Sequence, residues 1–186
     1  PLIIRCFLLG SVLVFPIMFV QHAFVKEGFV LNSFFESSLQ IALLEEFLKW
    51  FIFMFSMYHH EEFDDHYDGI VYATAISLGF ASVENILFLL TNGIEYGFSR
   101  AIFPVSSHAL FGVIMGYYIG KAKTRESRTK YNLWLAFFIP FLLHGIYNYI
   151  LQTVTTNWLY YLIPFMIVLW MFGLHRMKVA NQPNLN

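Results

Sequence analysis

Six apolar stretches, at about residues 2–20, 38–57, 69–91, 101–120, 131–151 and 158–174, dominate the sequence. A helix needs ~20 apolar residues to cross the ~30 Å hydrocarbon core of a bilayer, and each stretch has that length or nearly so. Irregular backbone exposed to lipid cannot cross, because its N–H and C=O groups would go unsatisfied. The expected fold is all-α: a polytopic transmembrane helical bundle with about six spans in this chain. No Gly/Ser linker, low-complexity tract or internal repeat divides it, so residues 1–186 read as a single integral-membrane domain. Composition agrees: only 12% of residues are charged, against ~25% in soluble domains, which excludes a soluble nucleic-acid binder or a disordered tail. Cys6 is the single cysteine, so there is neither an internal disulfide nor a Cys-rich zinc knuckle. The sequence opens on Pro1 rather than Met and shows no cleavable signal peptide, so truncation at the N-terminus is expected.

Orientation follows from Lys and Arg counted connection by connection. The basic connection 121–130 holds five cations and the tail His175–Lys178 holds two more. Both are expected on the cytoplasmic side, as is Arg5. The connections carrying Lys26 and Arg100 then face outward. In the acidic connection 59–68 a solvated turn is expected, with Asp68 capping the third span.

Several spans carry polar residues that a lipid anchor would lack, and ionisable groups at membrane depth point to function. The second span contains Glu45, Glu46 and Lys49; the third, Glu84 and Asn85; the fourth, His108 and Gly112; the fifth, His144 and Asn148. On this topology Glu45, Glu84, His108 and His144 each lie ~10 Å below the outer end of their span at 1.5 Å per residue. Four helices thus bring polar groups to one level, where a bundle can gather them into a cavity. Glu45 with Lys49, His108 with Gly112 and His144 with Asn148 share helical faces at i,i+4. Gly112 lets a neighbouring backbone or substrate approach. Glu45 and Glu46 diverge by ~100° around the helix, so one is expected to react and the other to support it. A structural ion pair and core histidines are the plainer alternatives.

At these residues the sequence resembles the PrsW family of bacterial intramembrane proteases, of the Bacillus type, itself distantly similar to the CAAX-protease and bacteriocin-processing enzymes. The resemblance runs through Glu-Glu-x-x-Lys at 45–49, His66-Tyr-Asp-Gly69, Gly-Phe-Ala-x-x-Glu-Asn at 79–85, His108-x-x-x-Gly112 and His144-Gly-x-Tyr at 144–147. It implies a multi-pass protein of the bacterial cell membrane with another crossing upstream. It further implies site-1 cleavage of a single-pass anti-sigma factor of the RsiW type near the extracytoplasmic face, releasing a sigma factor in envelope stress. By similarity to the CAAX-protease group, Glu45 or Glu46 would be the base that activates water and His108 its partner. His144 and Asn148 would then stabilise the oxyanion, with Lys49, Glu84, Asn85 and Gly112 in support. That group has its basic residue five positions after the first Glu and a Phe four before the His; here Lys49 is at four and Pro104 takes the Phe position.

No cofactor is expected on the glutamate mechanism. The alternative is zinc held by His108, His144 and Glu84 or Glu45, leaving a position for water, although the His-Glu-x-x-His helix of zincins is absent. Outside proteolysis, the same residues would suit a proton- or ion-coupled transporter. Repeated halves and broken helices, which mark transporters, are missing from the sequence.

Overall fold

The computed structural model describes residues 1–29, 34–97, 101–124, 128–154 and 156–182. Arg100 and positions 125–127 of the basic connection, which bear on the orientation, lie outside these residues. Among the described residues there are six long helices and no strand: α1 (Leu2–Lys26), α2 (Phe34–Ser56), α3 (His66–Asn92), α4 (Ser106–Thr124), α5 (Thr129–Thr153) and α6 (Trp158–Ala180). Four of the apolar stretches lie wholly inside one helix, α2 ends one residue short of the second, and the fourth begins before α4 in the turn Ala101–Val105. Most helices also run beyond their stretch, since a helix pairs its own backbone and continues into polar surroundings without apolar side chains. Pro16 sits inside α1 without ending it.

Five of the helices, α4 counted with the turn before it, are long and apolar enough to cross a membrane. The remaining one, α2, has 23 residues, ~35 Å at 1.5 Å per residue, but Glu45, Glu46 and Lys49 dilute its apolarity. All three are 0–4% exposed, so their charge is turned into the bundle. The outer surface has the opposite character: Phe19, Phe55, Leu90 and Met171 are 68–78% exposed. Apolar outside and polar within is the arrangement that a lipid solvent demands.

The central element is α4, buried almost continuously from Ser107 to Gly120. Gly112, Gly116 and Gly120 repeat at i,i+4, the small-residue spacing that lets helix backbones close up in membranes. A Cβ at Gly112 would stand 2.8 Å from Thr74 Cα, and one at Gly116 2.6 Å from Ile70 Cα. Gly112 therefore receives the α3 backbone rather than a substrate. A similar crossing joins α1 to α3, where Gly10 and Gly79 face the carbonyls of Ile76 and Phe7, and Ser11 Oγ donates to Gly79 O at 3.2 Å. Along α5 lie both α4 and α2, and α6 covers α4. Although consecutive, α1 and α2 touch only slightly. The circuit α1–α3–α4–α5–α2 thus has its loosest seam between its two ends.

At the start of α3 a capping box differs from the expected single cap. Asp65 is the N-cap and accepts from His66 N, while the Asp68 carboxylate accepts from Asp65 N at 3.0 Å. Two otherwise unpaired donors are satisfied reciprocally. Behind it, His66 contacts Tyr117 O at 2.8 Å, so the His66–Gly69 motif serves packing of α3 on α4.

Candidate active site

The polar side chains singled out in the spans reach one another through local features of three helices. Before α4, residues Ala101–Val105 form a π-turn containing Pro104, whose ring nitrogen has no hydrogen to donate. Such turns shift the register of the adjoining helix and often mark functional sites. Ser107 Oγ donates to Pro104 O at 2.9 Å and Ser106 Oγ to Ile102 O, which occupies carbonyls freed by the irregular backbone. His108 enters the bundle from the next position. On α5, His144 lies about one turn after Pro140, and both are buried. On α2, Glu45, Glu46 and Lys49 are buried together.

Glu46 is the hub. Lys49 Nζ donates to Glu46 Oε1 at 2.8 Å, and His144 Nδ1 meets the same oxygen at 2.9 Å. Lys49 Nζ also stands 3.0 Å from His108 Nδ1, and His108 Nε2 lies 3.3 Å from Glu84 Oε2. With the ammonium donating to Nδ1, His108 carries its proton on Nε2 and gives it to Glu84. With Nδ1–H donating to Glu46, neutral His144 keeps a lone pair on Nε2. That nitrogen faces Glu45 Oε2 at 3.9 Å, and among the described residues Glu45 Oε2 has no hydrogen-bond partner. Two acceptors thus confront each other in a buried place, where an unsatisfied polar atom is costly.

Aromatic rings wall the group. Phe111 stacks on His144 with centroids 5.0 Å apart, and Phe80 lies 4.2 Å below Lys49 Nζ and edge-on to His108 at 5.5 Å. A cation over a ring face gains electrostatically. Three carboxylates, Glu45, Glu46 and Glu84, stand against the single ammonium of Lys49, so ionised carboxylates leave negative charge for protons or a cation to balance.

The structure brings together Glu45, Glu46, Lys49, Glu84, His108 and His144. Asn85 is buried beside Glu84. Asn148, one turn beyond His144, is half-buried and makes no hydrogen bond to the cluster among the described residues. Both glutamates of α2 reach His144, from different sides, which reconciles their ~100° divergence with one site. For a metal, the compact donor set is Glu45, His108 and His144, whose ligand atoms lie within 4.8 Å of one another; Glu84 is the more exposed partner, at 34%. Among the described residues the acidic connection at 59–68 gathers no such set.

Sequence reasoning missed Gln21. Its Nε2 donates to Glu45 Oε1 at 3.4 Å, making α1 a contributor to the cluster. The signal was available: Cys6, Gly10, Val14 and Ile17 form the buried stripe of α1, and position 21 continues it at helical spacing.

The chain matches, over residues 1–172, the family described as PrsW family intramembrane metalloprotease. It is 64% identical over 181 residues to the Protease PrsW of Oceanobacillus iheyensis, covering 97% of this chain and 84% of that protein. The Protease PrsW of Bacillus subtilis is 53% identical over 186 residues, covering 99% and 84%. That of Clostridioides difficile is 31% identical over 191 residues, covering 96% and 79%. No solved structure matches.

Proposed function

This chain belongs to the PrsW-protease family of intramembrane proteases, and from that premise we propose that the buried cluster of α2, α3, α4 and α5 is its peptidase centre. The substrate is a single-pass anti-sigma factor of the RsiW type, cut near the extracytoplasmic face. The observation that carries the assignment is the confrontation of Glu45 Oε2 with His144 Nε2 at 3.9 Å, two acceptors that a water can bridge by donating to each.

Glu45 takes a proton from that water as its oxygen attacks the peptide carbonyl carbon. The proton then passes to the leaving amine as the C–N bond breaks, so the carboxylate is regenerated. Positioned acid–base groups of this kind contribute ~10²–10⁴-fold in rate. His108, through Nε2–H, steadies the developing oxyanion, while the lone pair of His144 Nε2 accepts the water's second hydrogen and holds the water for attack. Glu46 acts through His144, fixing its tautomer and orientation from Nδ1, while Lys49 offsets the charge of Glu46. Asn148 joins as a donor when substrate is bound.

A second reading is favoured by the donor set. Glu45, His108 and His144 offer one carboxylate oxygen and two imidazole nitrogens, the ligand types of catalytic zinc sites. The Glu46 carboxylate on the far nitrogen of His144 is the outer partner such ligands usually have. These residues fit a metal of the kind that the word metalloprotease in the family's description implies; bound there, it would act as a Lewis acid and lower the pKa of coordinated water. His108 would exchange its contact with Glu84 to take part.

The test uses purified chain in lipid vesicles with a labelled RsiW-type single-pass anti-sigma factor. Glu45→Gln and His144→Ala each lower the cleavage rate by at least ~100-fold. Undiminished cleavage in both variants overturns the site. Loss on chelation with rescue by zinc replaces the metal-free mechanism by the second reading.

A further inference from the structure

At the loose seam between α1 and α2 the bundle surface opens into a groove of about 320 Å³, lined by Met18, Gln21, His22, Phe24, Gln40 and Leu44 among others. Gln21 belongs to both groove and cluster, because its Nε2 donates to Glu45 Oε1 at 3.4 Å. The groove therefore reaches the reactive carboxylate through one side chain. The comparable groove between α2 and α5, about 300 Å³ and lined by Trp50, Lys130 and Trp134 among others, includes no residue of the cluster.

Two primary amides mark the seam groove in otherwise largely apolar walls. Gln21 gives its NH₂ to Glu45, and Gln40 Nε2 donates to Phe29 O at 3.1 Å. Among the described residues these bonds use only the donor end of each amide, and the carbonyl oxygens are acceptors. Acceptors along an apolar trough match the N–H groups of an extended polypeptide, whose side chains enter the apolar parts. A lipid tail has no hydrogen to offer them. Proteolysis needs an unwound segment, since the carbonyls of an intact helix are already engaged by its own backbone.

We propose that the α1–α2 groove receives the scissile segment of the substrate as an extended strand, and that Gln21 is a positioning residue which holds Glu45 toward the bound peptide bond. The proposal rests on the cluster being a peptidase centre. Docking of α1 through Gly10 and Gly79 on α3 fixes one wall of the groove, and the slight contact of α1 with α2 leaves the other side free to admit a chain.

The experiment has two arms, both on this chain in vesicles with the labelled single-pass anti-sigma factor. In the first, a photoreactive amino acid replaces His22, Gln40 or, as the control, Trp134 in a Glu45→Gln background that retains substrate. Crosslinks to the substrate from positions 22 and 40, and none from 134, are expected. Crosslinks to lipid alone, or equal capture from 134, overturn the proposal. In the second arm, Gln21→Leu lowers kcat roughly tenfold, as misplacement of a reacting group does, with the melting temperature unchanged. A wild-type kcat, or a fall in kcat that only follows a fall in melting temperature, overturns the role of Gln21. Failure of the wild-type chain to cleave would instead remove the peptidase reading itself, so the two ideas fail separately.

Discussion

At Glu46 the fold buries a carboxylate whose Oε1 is held by Lys49 at 2.8 Å and His144 at 2.9 Å, whereas the adjacent Glu45 is paired with no Lys or Arg among the described residues; each keeps its Oε2 without a hydrogen-bond partner among them. The two carboxylates therefore answer differently to removal of charge. Glu46→Gln strands the ammonium of Lys49, which is 0% exposed, and an uncompensated buried charge costs ~3–5 kcal/mol. Thermal unfolding in detergent is expected to show a clear drop for Glu46→Gln and recovery of most of it in Glu46→Gln/Lys49→Met. A Glu46→Gln protein that melts like wild type would show that the pair has no structural weight. Glu45→Gln should melt near wild type while losing activity. The identity of these residues was legible in the sequence, because charge inside an apolar stretch is conspicuous. The division of labour between neighbours was not, since it depends on which nitrogen of His144 each carboxylate meets. Gln21 was overlooked because it stands just beyond the first apolar stretch at 2–20, where a polar residue reads as the start of a connection although α1 continues to Lys26.

The helices themselves were the most readable feature, as each apolar stretch matches one long helix to within a few residues at its ends, the fourth also taking in the turn before α4. Packing was less so. The centrality of α4 depends on Gly112, Gly116 and Gly120 lying on the face that meets α3, a partner choice that the spacing permits without naming. Gly116→Ala places a Cβ 2.6 Å from Ile70 Cα, and overpacking of this kind costs roughly 1–3 kcal/mol. Among the described residues Gly97→Ala meets nothing closer than a Leu89 methyl at 3.9 Å. Thermal melts should therefore separate the two, the first falling and the second staying near wild type; equal melts would deny that the α3–α4 crossing is tight. The π-turn before His108 was likewise hidden, because Pro104 reads as a simple break until Ser106 and Ser107 are seen closing on the carbonyls around it.

For the whole molecule, the bundle places the acidic connection at 59–65 and Asn157 at opposite ends of a set of antiparallel spans, and we propose from the positive-inside rule that the first of these ends is cytoplasmic. Glu61 and Asn157 are exposed, and Cys6 is buried, so single introduced cysteines can be read against a quiet background. Glu61→Cys should react with an impermeant maleimide only from the cytoplasmic side, and Asn157→Cys only from outside. The reverse pattern would invert the protein and move the proposed cut to the inner face. The contacts that cross from α2 to its neighbours have a mechanical side as well. Burial of Glu45, Glu46 and Lys49 turns one face of α2 inward, but burial alone sets its rotation only coarsely. His144 on α5 takes hold of Glu46 at 2.9 Å, and His108 on α4 meets Lys49 Nζ at 3.0 Å; these two α2 side chains, three residues apart, leave the axis ~60° apart. Two neighbours gripping a shaft at two bearings work as a key in a keyway: the cluster that would cut the substrate also sets the azimuth of α2.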